Sequence, residues 1–307
     1  MDRGWTLFDR GELAIKELTR IVERRLSMRQ GLAKLMLGRQ SVRRKLCQKL
    51  VKSLRLLPYE LRLEHDAIAR PHYGYCLLQA AKLAKKLGHT EISVLEFGVA
   101  GGNGLLNLEM HAREIKKLLN VDIQIYGFDT GCGLPPPVDY RDLPYHWKPG
   151  FFSMNGEKLR SRLTLSELVI GDVADTVASF VQRYNPAPIG ALLMDLDYYS
   201  STKYALTLFD LHRTRVLPRV FTYFDDVIGD DTSLYNEHTG ALLAINEFNS
   251  AHATQKLCRA DYLTTRSYPE TWYHQIFIYH DFVADAYNQF VSEENQQLPL
   301  KDELQGV

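Results

Sequence analysis

Five apolar runs, each closing on or just before an acid, set the rhythm of this chain. Ile92, Val94 and Leu95 lead to Glu96, and a turn carrying Gly98, Gly101, Gly102 and Gly104 then opens a helical pattern at Leu105, Leu106 and Leu108. The second run, Ile123 to Phe128, ends at Asp129. The third, Leu168 to Ile170, passes into Gly171, Asp172 and Val173, and a helix follows from Asp175 to Arg183. The fourth, Ile189 to Met194, ends at Asp195, and the fifth, Val220 to Phe224, at Asp225 and Asp226. Short apolar runs separated by helical segments predict an α/β domain with a mostly parallel sheet and helices on both faces. Aromatic and β-branched residues at Tyr262 to Thr265 and Tyr273 to Phe282 predict a closing hairpin that brings the sheet to seven strands. Helices are predicted from Tyr75 to Leu87, ending at Gly88, and from Leu234 to Ser250.

The flanks differ from this core. From Leu13 to Leu57 the pattern is helical and basic, and between Arg20 and Arg55 the only acid is Glu23. Such a face can cover the core or a second subunit, meet an anionic membrane surface or meet nucleic acid; a homo-oligomer is the expectation. Breaks at Pro58 and at Arg70-Pro71 divide a basic helical extension, 1–69, from a core domain, 70–285, and a polar tail, 286–307. Between the second and third runs lies a long loop, Thr130 to Phe152, with Pro135 to Pro137 and many aromatics. Loops of this length in compact domains usually form lids or pockets.

The 307 residues carry 37 basic and 37 acidic side chains, so the overall field gives no reason to expect a nucleic-acid partner. Four scattered cysteines without a CxxC pair argue against a zinc ribbon or a disulfide framework. Asp2, Asp9 and Glu12 interrupt any signal-peptide pattern, and no run approaches the ~18 apolar residues of a membrane span. A cytoplasmic protein is expected. Lys301-Asp302-Glu303-Leu304 resembles an ER-retention signal but is not terminal.

The chemistry gathers at the strand ends. A glycine-rich turn between a strand and a helix lets a nucleotide-like cofactor approach the backbone, although it also serves helix-sheet packing alone. Asp129 lies 33 residues after Glu96, farther than a dinucleotide site usually requires, but it can still accept ribose hydroxyls or simply brace a turn. Asp195, Asp197, Asp225 and Asp226 follow strands too apolar to be surface loops, so they crowd one corner. That crowding calls for a cation or protons, and an all-oxygen set suits Mg²⁺ or Mn²⁺. For any one of these acids, a helix-capping or turn role would also suffice.

Glu96-Phe97-Gly98-Val99 with Gly102, Tyr126-Gly127-Phe128-Asp129 with Gly133-Leu134-Pro135, Asp195-x-Asp197-x-Tyr199-x-Ser201-Thr202 and Phe224-Asp225-Asp226 together resemble the macrocin O-methyltransferase family, over about residues 70 to 282. The resemblance implies a Rossmann-like class I methyltransferase fold and metal-assisted transfer from S-adenosylmethionine to a hydroxyl of a small-molecule or glycosylated acceptor, a sugar hydroxyl being favoured. It implies that Glu96 and the turn Gly98, Val99, Ala100, Gly102 and Asn103 hold the amino-acid part of the cofactor. Asp129 would take the ribose, and Gly171, Asp172 and Val173 the adenine edge. Asp195, which also borders the cofactor, would bind the metal with Asp225 and Asp226, and Asp197 would be the general base. His146 and Tyr199 are candidates to position the acceptor. Two other classes stay open at this point: a glycosyltransferase that uses Asp195-x-Asp197 to hold a metal and a nucleotide sugar, and a non-catalytic scaffold with basic binding helices.

Overall fold

The computed structural model describes residues 57–266 and 270–293. The chain divides into two units after Ile68. The first contributes to the described residues one short helix, α1 (Tyr59–Glu64), which starts after Pro58. The predicted basic helices before it lie outside the described residues.

The second unit is organised on a seven-stranded sheet. Along the chain come α2 (Pro71–Lys86), β1 (Glu91–Phe97), α3 (Asn103–Leu119), β2 (Asp122–Asp129), α4 (Gly156–Arg160), β3 (Ser166–Ile170), α5 (Val173–Tyr184), β4 (Ile189–Met194), α6 (Tyr199–Leu206), α7 (Leu208–Leu211), β5 (Val216–Phe224), α8 (Gly240–Ala251), β6 (Gln255–Arg259) and β7 (Ile276–Asp281). The strand order is β3-β2-β1-β4-β5-β7-β6, with β7 antiparallel to both its neighbours and the other pairs parallel. This is the Rossmann-like class I methyltransferase fold that the motif order implied. All six residues of β4, and β1 from Ile92 to Phe97, are buried. A strand covered on both faces reads as a continuous apolar run, which is why these two were legible. Helices pack in separate sets, α2 with α3, and α6 with both α5 and α8.

The order reverses between β1 and β4. At such a switch point the connections leave in opposite directions and open a crevice at the carboxyl ends of the strands. Ser93 to Phe97 pair with Ile189 to Met194 across this point.

Three predicted elements move. Tyr262 to Thr265 is not a strand: Asp261–Thr265 forms a 3-10 turn in which the hydroxyls of Thr264 and Thr265 donate to the carbonyls of Asp261 and Tyr262, at 2.7 and 2.8 Å. Local side-chain bonding of this kind competes with a sheet ladder. The sixth strand is instead Gln255–Arg259. The last long helix starts at Gly240, not Leu234, because residues 230–233 are folded into an Asx-type turn by Asp230 and Leu234 takes φ +51°. The helix before β1 begins at Pro71, whose missing N–H costs nothing in the first turn.

Candidate active site

β1 ends by delivering Glu96 into the interior, 1% exposed. The Tyr73 hydroxyl, from α2, donates to its Oε1 at 2.8 Å, while Oε2 is buried without a partner among the described residues. Burial pushes this carboxyl up to about 7, against the opposing pull of Tyr73 and Arg70. Arg70 stands just ahead of α2 at φ +45°, its guanidinium 4.9 Å above the Tyr73 ring.

The glycine-rich turn is shaped largely by the protein's own atoms. A Cβ on Gly98, at φ +85°, would come within 1.7 Å of the Asp195 carbonyl oxygen, so only glycine lets the ends of β1 and β4 meet here. Gly102 faces the Leu159 side chain of α4, with 2.1 Å between that side chain and where a Cβ would stand. Its missing side chain therefore admits a leucine. Asp129 Oδ2 accepts the Val99 and Ala100 N–H groups at 2.9 Å each, and Oδ1 accepts that of Gly131 at 2.6 Å. One carboxylate thus ties the turn after β1 to the turn after β2.

The second constellation is a corner of carboxylates. Asp195, Asp225 and Asp226 each offer an oxygen lying within 4.8 Å of the others. At that separation two full charges repel by about 3 kcal/mol at an effective dielectric of about 20, so three such pairs rival the stability of a whole domain. Protonation relieves this in the protein by itself: burial, then the neighbouring aspartates, push Asp195 well above its usual range and Asp197 up to about 9. Asp226 is pushed up to about 6, burial outweighing two bonds that favour its anion. Its Oδ1 accepts from Tyr235 at 2.8 Å and its Oδ2 from the Asp197 N–H at 3.0 Å. Tyr223 donates to Asp225 Oδ1. Asp197 itself is held at φ +54°, with the Tyr198 N–H bonded to the Leu196 carbonyl across it. This tight turn costs backbone energy and presents the Asp197 N–H to Asp226, while no side chain caps α6.

Both constellations border one cavity of about 620 Å³. Of the predicted residues, Gly98, Ala100, Asp129, His146, Gly171, Asp172, Val173, Asp195, Asp197, Asp225 and Asp226 line it; Glu96, Val99, Gly102 and Asn103 do not. Asn103 is exposed, and Glu96 lies beneath the wall. Asp172 caps α5 through the Ala174 N–H at 2.8 Å while facing the cavity. Tyr199 is absent from the lining: its hydroxyl donates to Glu247 at 2.6 Å and accepts from Lys203 at 2.8 Å. His146 stands in the loop wall, edge-on to Trp147, whose buried indole N–H has no partner among the described residues. The charge inventory is one-sided. Asp129, Asp172, Asp195, Asp197, Asp225, Asp226 and Asp230 line the cavity, and among the described residues no lysine or arginine does.

Sequence reasoning missed the groups that brace these acids. Tyr73 and Arg70 sit at a break read only as punctuation. His72 stacks on Tyr223 with ring centroids 4.4 Å apart, and burial, then Arg70 and His111, lower it to about 3, which keeps it neutral. Tyr235 fell inside a predicted helix. The long loop is pinned by Asp142, fully buried, which accepts the N–H and hydroxyl of Ser200 at 2.8 and 2.9 Å. An acid inside a proline-rich loop was the one available signal.

No protein-family model matches the chain, and no curated protein matches it. Among solved structures it is similar to the calicheamicin methyltransferase CalS11, at 18% identity over 78% of this chain and 92% of that one, TM-score 0.44. It is also similar to an O-methyltransferase from Bacillus cereus in complex with SAH, at 13% identity over 76% and 95% of the two chains, TM-score 0.39. A third likeness is to the mycinamycin-pathway methyltransferase MycE in complex with Mg, SAH and mycinamycin VI, at 15% identity over 66% and 48%, TM-score 0.35. No helix of the described residues is long and apolar enough to cross a membrane.

Proposed function

We propose that this protein is an S-adenosylmethionine-dependent, metal-assisted O-methyltransferase that acts on a hydroxyl of a small-molecule or glycosylated acceptor, a sugar hydroxyl being favoured. The observation that carries the reading is that seven aspartates and, among the described residues, no lysine or arginine line the cavity at the β1/β4 switch point. A sulfonium cofactor is cationic and gains from such a field, whereas a dinucleotide or nucleotide sugar brings a diphosphate into it. The residues fit both absent groups. Glu96 Oε2 is a buried acceptor that lacks a donor among the described residues, as the amino end of a cofactor would supply. Asp195, Asp225 and Asp226 form an all-oxygen set with lone pairs to spare, suited to Mg²⁺ or Mn²⁺.

In this reading Asp129 faces the ribose and Gly171, Asp172 and Val173 border the adenine. When bound, the cofactor supplies an electrophilic methyl group and the cation a Lewis acid that acidifies the acceptor hydroxyl. Asp197, which lines the cavity beside these acids, would take the hydroxyl proton once a bound cation offsets the neighbouring aspartates and leaves its carboxylate ionised. His146 and Trp147, on the long loop, orient the acceptor and exclude water. Tyr199 has no part in it, its hydroxyl being committed to Glu247 and Lys203.

Calorimetric titration of S-adenosylhomocysteine into the full chain, with Mg²⁺ and then with chelator, tests this. Micromolar binding, with none for NAD or a UDP-sugar, is expected. A UDP-sugar that binds where S-adenosylhomocysteine does not would establish the glycosyltransferase alternative.

A further inference from the structure

One bond of the carboxylate corner reaches outside it. Asp226 receives a hydrogen bond on each oxygen, from the backbone of Asp197 and from the hydroxyl of Tyr235, at 3.0 and 2.8 Å. Tyr235 does not belong to the sheet. It ends the surface loop 228–235, whose Ile228, Gly229, Asp230 and Ser233 form one side of the cavity.

That loop is stiff in its middle and latched at its far side. Asp230 Oδ1 accepts the N–H groups of Thr232 and Ser233 at 2.8 and 2.9 Å, and the Ser233 hydroxyl accepts the Asp230 N–H at 2.8 Å. The carbonyl of Ser233, a residue itself 3% exposed, takes a bond of 2.6 Å from the Tyr145 hydroxyl on the long loop opposite. Tyr145 stands three residues after Asp142, the anchor of its own loop on Ser200. A continuous chain of contacts thus runs from Asp226 through Tyr235 and the braced turn to Ser233, Tyr145 and the long loop. A displaced Asp226 cannot keep its Tyr235 bond unless the loop follows.

We propose that Tyr235 is a positioning residue: its hydroxyl fixes Asp226 for cation binding and, through loop 228–235 and the Tyr145–Ser233 bond, makes cation binding and closure of the two loops over the acceptor a single event. The proposal rests on the methyl-transfer reading for the identity of the ligands. A neutral phenol suits the task, because it orients a carboxylate without adding a positive charge that would compete with the cation.

The test uses the full chain as wild type, Tyr235→Phe and Tyr145→Phe, with Mn²⁺ followed by electron paramagnetic resonance and S-adenosylhomocysteine by calorimetry. Loss of a hydrogen bond to a charged group should weaken Mn²⁺ about tenfold or more in Tyr235→Phe. S-adenosylhomocysteine affinity should stay within about twofold there, and Mn²⁺ affinity should fall in Tyr145→Phe by a smaller factor than in Tyr235→Phe, because closure and cation binding are linked. In wild type, Mn²⁺ should slow chymotryptic cleavage within 228–235, where Leu234 is 60% exposed; in both variants this protection should be lost. Equal Mn²⁺ affinity and equal protection in wild type and Tyr235→Phe overturn the proposal. Wild type that binds S-adenosylhomocysteine but not Mn²⁺ overturns it too, and leaves methyl transfer standing. Folded wild type that binds neither removes both.

Discussion

Glu96 and Glu109 lie 13 residues apart, one at the end of β1 and one inside α3, and they are 1% and 2% exposed. Their surroundings differ in one respect. Glu109 is completed by the fold: Oε1 accepts the N–H groups of Thr164, Leu165 and Ser166 at 2.8, 2.8 and 3.0 Å, and Oε2 accepts the Thr164 hydroxyl and Arg113 at 2.6 and 3.0 Å. Glu96 receives a single phenol and keeps one oxygen empty. A buried carboxylate that finds all its donors within the chain is a structural staple, here joining α3 to the start of β3. One left short, beneath the wall of a cavity, lacks a second donor among the described residues and can take one from a ligand. The carboxylate corner extends the same lesson: among the described residues its three aspartates receive two phenols and one backbone N–H and pair with no lysine or arginine.

The comparison breaks most sharply at the corner. Asp225→Asn removes one oxygen donor of the three and should lower metal-dependent turnover at least about 1000-fold, while S-adenosylhomocysteine affinity stays within about twofold. It should also make the protein without cation slightly more resistant to urea, because a repelling charge is gone. Normal turnover in the variant would remove the metal from the reading.

At the staple the expectation reverses. Glu109→Ala leaves three backbone N–H groups and a hydroxyl short of an acceptor and should cost about 3 kcal/mol of folding stability. For a domain of this size that is a fall of roughly 10 °C in melting temperature. The surviving folded fraction should bind S-adenosylhomocysteine as wild type does. A variant that melts normally but loses the cofactor would show that the two glutamates are not different in kind.

What could be read from sequence follows the same division. The strands announce themselves because β1, β4 and β5 are too apolar to lie anywhere but inside, and the acids at their ends must then meet; Asp195, Asp225 and Asp226 do. The glycines were only half legible. Gly98 stands where the backbones of β1 and β4 touch, but Gly102 makes room for Leu159, a partner 57 residues on that no local pattern links to it. Tyr73, Tyr223 and Tyr235 brace carboxylates from a helix, a strand and a loop, and a hydroxyl aimed at a distant acid leaves no periodic trace. The sixth strand was misplaced for a related reason. Tyr262 to Thr265 has the composition of a strand, yet its threonine hydroxyls close a local turn, and the less apolar Gln255–Arg259 takes the edge of the sheet beside β7.

The smallest effect is the one that separates the two glutamates by sign. Burial would raise Glu109, but the Thr164 hydroxyl and the three backbone N–H groups outweigh it and hold the carboxyl down at about 2. Its contribution is therefore present above the ordinary carboxyl range near 4.5 and is lost as pH falls through about 2. Glu96 is raised to about 7 by burial, so its contribution is present below that same range and is lost as pH rises through about 7. Urea unfolding of the cation-free protein from pH 3 to 8 should then show Glu96→Gln flattening the decline between about pH 4.5 and 7, by about 2 kcal/mol, and leaving the acid limb untouched. Glu109→Gln should flatten only the acid limb. If S-adenosylhomocysteine brings its amino group to Glu96, saturating ligand should erase the neutral-range decline in wild type, because the carboxylate then gains the donor it lacks. A decline that survives saturation would place the amino end of the cofactor elsewhere.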